Sequence, residues 1–306
     1  MNLREWALPV YTILMELATG ALLMLWTIRA LSRSKLRREE MDRIIRNPLL
    51  VILFTVVVAM IGAHFHLSRP YLSILAALNF RSSWLSREIV FTVLFFLSTG
   101  YLWYLQWFVT GRPVLKDALG WIALMFGFAA TYCMSWIYLL PTQTAWNTPF
   151  TILSFYVSTL LLGVMTMACL LIMDMKFAEV REPATVQARN AIVHSALVWF
   201  VGLAIVSVIA ATTINLYQIQ YLRSGDETAQ MSLQLLLELY RALFGIRFVL
   251  MLAGIGTLAI SAYLIVRRNK PATEMMIPVY VSCLLVLIGE IIGRFLLYAT
   301  HVRVGI

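Results

Sequence analysis

Residues Leu8–Leu31 read LPVYTILMELATGALLMLWTIRAL, an apolar run broken only by Glu16 and Arg29. A helix needs about 20 apolar residues to cross a hydrocarbon core about 30 Å thick. This run is long enough, and it is too long for the apolar stretch of a cleavable signal. Its positive charge follows it, at Arg33, Lys35, Arg37 and Arg38. It therefore reads as a retained membrane span that starts outside the cytoplasm.

Seven further runs qualify downstream: Pro48–Leu67, Glu88–Val109, Ala118–Leu140, Phe150–Met173, Val193–Tyr217, Ala242–Val266 and Ile277–Thr300. They are continuous and do not alternate at period two. In lipid that means helices rather than barrel strands, because each segment must satisfy its own backbone. The chain is 61% hydrophobic and 13% charged, against about 45–50% and about 25% in soluble domains, so its main solvent is lipid. The sequence predicts an all-α integral membrane fold, one transmembrane domain over residues 1–306 with eight transmembrane helices. The net charge of +9 sits in short loops, with no basic stripe interleaved with aromatics, which excludes nucleic acid. Cys133, Cys169 and Cys283 each lie in an apolar run and read as small buried residues, not as a disulfide or metal set.

The loops set the orientation. Arg43 and Arg46 continue the first basic cluster; Arg112 and Lys116 follow span three, Lys176, Arg181 and Arg189 span five, and Arg267, Arg268 and Lys270 span seven. The alternate loops are poorer in Lys and Arg, which places both chain ends on the outer, periplasmic side. The outer segment 68–87 departs from the rule with Arg69, Arg81 and Arg87. Its apolar residues Tyr71, Leu72, Ile74, Leu75 and Leu78 recur near helical spacing, so a short interfacial helix is expected there. The second long outer connection, Gln218–Tyr240, carries Asp226, Glu227 and Glu238 and is expected to face water or a partner.

Ionisable groups inside spans are costly and mark function by default. Glu16, Arg247, Glu290 and Arg294 lie at membrane depth; His64 and His66 close span two, Glu88 opens span three and His301 follows span eight. All of these fall in the outer half, and His194 alone lies near the inner face. A transporter needs polar groups through the full thickness, whereas one-sided polarity suits a pocket for an amphiphile entering from the bilayer, such as a quinol. Quinol oxidation releases two protons and two electrons. His66 and Glu88 flank one outer loop and offer proton acceptors. No CxxC, flavin fingerprint or evident haem pair holds the electrons, so their acceptor is expected in another subunit. Structural readings stand beside these. Glu290 and Arg294, spaced i,i+4, form a same-face ion pair; Glu16 and Arg247 form another; Trp84, Trp136 and Tyr138 serve as belt or packing aromatics.

The stretch His66-Leu67-Ser68-Arg69-Pro70, then Leu78-Asn79-Phe80-Arg81-Ser82-Ser83-Trp84-Leu85-Ser86-Arg87-Glu88-Ile89, resembles the second-to-third helix junction of the DMSO reductase membrane anchor family. So does Gly289-Glu290-Ile291-Ile292-Gly293-Arg294 with Tyr298 and His301. The resemblance implies a subunit that is not an enzyme alone but oxidises menaquinol near the outer face. It implies multi-pass placement in the bacterial cytoplasmic membrane, a four-cluster iron–sulfur subunit and a molybdopterin catalytic subunit as partners, and no haem. It implies roles in quinol chemistry for His66, in a His-Leu-x-x-Pro pattern, and for Glu88. His64 and the Ser68-Arg69 pair depart from that pattern, leaving open which histidine acts. The expected quinol-binding set is His64, His66, Arg81, Glu88, Glu290, Arg294 and His301. Two alternatives are kept: a haem-b anchor using His64 or His66 with His301, and a transporter. Without an inner-half proton path, turnover is expected to move no net charge.

Overall fold

The computed structural model describes residues 3–32, 38–66, 73–183, 186–268 and 270–302. They form α1 (Leu3–Leu31), α2 (Arg38–His66), α3 (Ser73–Ala76), α4 (Trp84–Phe108), α5 (Pro113–Ile137), α6 (Pro149–Arg181), α7 (Val186–Ser224), α8 (Glu227–Gln234), α9 (Arg241–Arg267) and α10 (Met276–Ala299). All except α3 and α8 are long and apolar enough to cross a membrane, eight in all. No strand occurs among the described residues. We call the end at which α1 begins and α10 finishes the upper end, and the other the lower end.

Local chemistry sets the helix ends. Ser83 accepts a hydrogen bond from the Ser86 amide at 3.3 Å and starts α4. Pro113 and Pro149 open α5 and α6, where a missing amide hydrogen costs nothing. The tight lower turn from α4 to α5 needs left-handed backbone at Gly111 (φ 75°) and Arg112 (φ 52°). Asp226 caps α8 by accepting from the Ala229 amide at 2.9 Å.

The helices outrun the apolar runs. The α2 helix begins at Arg38, ten residues before the expected span, because Met41, Ile44 and Ile45 give its polar first turns a buried face. The 39 residues of α7 span about 58 Å at 1.5 Å per residue, well beyond a bilayer core. The outer connection expected at Gln218–Tyr240 is mostly helical: α7 continues to Ser224, α8 follows, and one π turn covers Leu235–Leu239. Its acidic residues Asp226, Glu227 and Glu238 are exposed. Within the expected interfacial segment, residues 68–72 lie outside the described residues; beyond them come α3 and one 3-10 turn, Ala77–Asn79, with Leu75, Leu78 and Phe80 exposed.

Packing divides the molecule into two four-helix halves. In the first, α1, α2, α4 and α5 each touch two of the others in a ring; α6, α7, α9 and α10 do the same in the second. The halves meet mainly along α1 and α6. At their closest approach Gly20 faces Gly163, and a Cβ on either would strike the other's backbone. Small residues at such a point let two helix backbones touch, the main source of helix association where lipid is as apolar as leucine.

The lower end holds buried charge that the one-sided reading did not anticipate. Arg29 bonds Asp117 at 2.6 Å and Asp42 at 2.7 Å, and Lys116 bonds Asp42 at 2.8 Å. Arg189 pairs with Asp174 and, at 2.8 Å, with Glu182, while Asn47 bonds Asp174 at 2.9 Å. Most of these groups sit in the first or last turns, so they were indistinguishable from solvated loop charge in the sequence. Their partners lie on other helices, and the cluster ties α1, α2 and α5 together and α2 to α6 and α7.

Candidate functional site

The upper half carries a second set of buried charges, and its pairing differs from expectation. Glu290 does not pair with Arg294, nor Glu16 with Arg247. Arg294 on α10 pairs instead with Glu16 on α1, and Arg247 on α9 stands 3.7 Å from Glu290. The i,i+4 spacing puts Glu290 and Arg294 on one face, but each side chain turns to a different neighbouring helix. Ser158 on α6 donates to the second Glu290 oxygen at 2.6 Å. Phe155, also on α6, lies under the Arg294 guanidinium with 3.8 Å from carbon to ring centroid. Glu16 is 0% exposed and one of its oxygens has no hydrogen-bond partner.

Glu88 is also buried, 4% exposed, in the first turns of α4. The α1 residue Tyr11 reaches its carboxylate and stands 2.9 Å from the Thr92 hydroxyl. Cys133 of α5 is a further neighbour. Two further tyrosines lie near both this region and the charges between the halves. The Tyr138 and Tyr298 hydroxyls are hydrogen-bonded to each other, and both lie within electrostatic reach of Glu88 and Arg294. Tyr138, expected to be a belt or packing residue, is buried and packs edge-on against Trp146 with centroids 5.4 Å apart. Trp146 donates to the Leu297 carbonyl at 2.6 Å and stacks on His301 at 4.8 Å.

The structure thus buries Glu88, Glu290 and Arg294 in the upper half and stacks His301 on Trp146. His64 is exposed, with Nδ1 2.7 Å from the Met60 carbonyl. Arg81 is exposed, and its carbonyl accepts from Arg87 at 2.6 Å. Arg87 lies over Trp84, which stacks on Trp136 at 4.9 Å. His66 ends α2 at the upper side, but its side chain lies outside the described residues. Sequence reading missed Tyr11, Ser158 and the Tyr138–Tyr298 bridge. A tyrosine inside the first apolar run was the signal available for Tyr11; the others depend on contacts between distant helices.

A cleft of about 120 Å³ opens at the upper end of the second half. All four of its helices line it, and Arg247, Glu290 and Arg294 contribute its charge.

These features define a class: a multi-pass helical membrane protein with a buried polar region and a cleft near one end. The chain matches the sequence model of the DMSO reductase anchor subunit (DmsC) family over residues 1–300, and it belongs to that family. It is 27% identical over 305 residues to the anaerobic dimethyl sulfoxide reductase chain YnfH of Escherichia coli (strain K12), covering 98% of this chain and 96% of that one. It is 24% identical over 309 residues to the C subunit of the anaerobic dimethyl sulfoxide reductase of Haemophilus influenzae, covering 100% and 98%. It is therefore an anchor subunit of a DMSO reductase type complex, holding catalytic and electron-transfer subunits to the membrane.

Proposed function

We propose that this chain binds menaquinol near its upper end and oxidises it for the subunits that it anchors. One observation carries the reading: Glu88, Glu16, Arg294 and Glu290 are buried in the upper half, with Arg247 half-buried beside Glu290. Buried charge at membrane depth is expensive and needs a use or a partner. Here it lies beside a cleft.

The reaction converts the quinol to quinone, two protons and two electrons. Glu88 and His66 take the protons. Tyr11 fixes the Glu88 carboxylate, and His66 ends α2 at the same end. Glu290, Arg294 and His301 form the far wall, and His64 and Arg81 the approach from the surface. The electrons pass to a four-cluster iron–sulfur subunit and from there to a molybdopterin subunit, with no haem in this chain. The upper end is the periplasmic side of the bacterial cytoplasmic membrane, because the most basic loops lie at the lower end.

Two results are expected. His66→Ala and Glu88→Ala each lower quinol-driven reduction about a hundredfold or more, the usual worth of a positioned proton acceptor. Reduction driven by a reduced viologen, which feeds the partner subunits directly, checks that the complex still assembles. Full quinol turnover in both variants removes the assignment. Separately, a membrane-impermeant maleimide applied to intact cells labels a cysteine placed at Gln230 of α8 but not one at Arg268. The reverse pattern inverts the proposed orientation.

A further inference from the structure

Cys169 and Cys283 read in the sequence as separate small residues, and both are free thiols. The packing of α6 against α10 brings them together. The two helices run antiparallel: Ser158 faces Glu290, Met165 faces Ser282 and Cys169 faces Val279. The Cys169 thiol donates to the Val279 carbonyl at 3.6 Å. Cys283 lies one turn above Val279 on α10. Each Cα–Cβ bond of a helix tilts toward the N-terminus of that helix. Cys169 therefore leans toward the upper end and Cys283 toward the lower end, which closes the turn between them. The two thiols are in side-chain hydrogen-bond contact.

The pair sits at the open edge of the helix seam. Met165 and Ser282 are buried, whereas both cysteines are half-buried. Tyr280, within electrostatic reach of Cys169, and Leu284 are exposed beside them. Cys283 is seven residues from the lower end of α10 and Cys169 twelve from that of α6, about 10 Å and about 18 Å. Surface at that depth faces lipid, and charged reagents reach it only by losing their hydration. The chemistry open to the pair is that of uncharged, lipid-soluble reagents. A solitary thiol in apolar surroundings is inert, because nothing stabilises its thiolate. Here a neighbouring S–H supplies a hydrogen bond to the sulfur that loses its proton first. Cys133, on α5 near Glu88, stands apart from this pair.

We infer that Cys169 and Cys283 form a dithiol site that a lipid-soluble quinone oxidises to a disulfide bridging α6 and α10. Two S–H bonds break and one S–S bond forms. Two electrons and both protons pass to the quinone, which leaves as quinol. Reactants and products are all uncharged, so no charge is stranded in the seam. The two sulfurs are already neighbours, so closure asks little movement of either helix. The inference is independent of the function proposed above: the quinone acts here as an oxidant arriving through lipid in the lower half. The bridge is a covalent record of an oxidised membrane, held on the helix that also carries Glu290 and Arg294, and a thiol reductant removes it.

The test uses the whole complex in membranes, first reduced and then exposed to a fully substituted dimethylnaphthoquinone. A parallel sample receives oxidised glutathione, which is charged and stays in water. After denaturation, free thiols are counted with a maleimide mass tag. Reduced chains are expected to take three tags, one for each cysteine. Quinone-treated chains are expected to keep only the tag on Cys133, and a reductant restores the others. Peptide mapping is expected to find Cys169 joined to Cys283. Oxidised glutathione is expected to act about tenfold more slowly or less, because it must shed its hydration to reach the pair. In Cys283→Ser, Cys133 and Cys169 are both expected to stay free after quinone. Three tags surviving the quinone in the wild-type chain overturn the proposal. So does a bridge that includes Cys133, or oxidised glutathione acting as fast as the quinone.

Discussion

Arg294→Leu is expected to destabilise the protein by about 3–5 kcal/mol, the usual cost of stranding one member of a buried ion pair. Its partner Glu16 is 0% exposed and already has one oxygen without a hydrogen bond. Removing the guanidinium leaves that carboxylate unpaired between the two halves, and also empties the space over the Phe155 ring. The double substitution Glu16→Leu with Arg294→Leu is expected to recover more than half of the loss, since apolar groups of similar volume replace buried pairs at little cost. Unfolding in mixed detergent micelles, followed for both single variants and the double, gives the coupling. A double variant as unstable as Arg294→Leu alone shows that Arg294 stabilises through contacts other than Glu16.

Gly163→Leu is expected to separate the halves. The α1–α6 contact brings backbone against backbone at Gly20 and Gly163, and no rotamer relieves a side chain placed there. Overpacking costs about 1–3 kcal/mol where side chains can shift, and this position has only backbone to move, so the cost reaches the top of that range or passes it. Even Gly163→Ala meets the Gly20 main chain. By contrast, a Cβ at Gly202 on α7 meets nothing within 4 Å, so Gly202→Ala leaves stability level or raises it slightly. Yield and thermal stability of the detergent-extracted complex separate the two positions. Wild-type behaviour of Gly163→Leu means the helices are not in contact at this point.

The eight spans were legible because lipid leaves a long apolar run one option, a helix that satisfies itself. Their ends were less so: hydropathy places the start of the second span at Pro48, while the polar turn Arg38–Asn47 continues the helix on a buried stripe of Met41, Ile44 and Ile45. The ionisable residues of the site were visible one at a time, but not their partners. Spacing along one helix pointed Glu290 at Arg294, whereas the neighbouring helices supplied Arg247 and Glu16. The second half's cleft was invisible, since α6, α7, α9 and α10 each contribute only part of its wall. The lower charges were misread for the same reason. Lys116 looked like loop charge and is 2% exposed, bonded to Asp42 on another helix.

The Glu16–Arg294 pair also has a consequence in time. Its members stand 278 residues apart, on α1 and α10. At bacterial translation rates of about 5–20 residues per second, that separation corresponds to a wait of roughly 15–55 s. During it Glu16 has no native counter-ion. A chain interrupted before α10 lacks the guanidinium that pairs with Glu16. Helix α10 thereby supplies a charge partner that α1 lacks until synthesis reaches it.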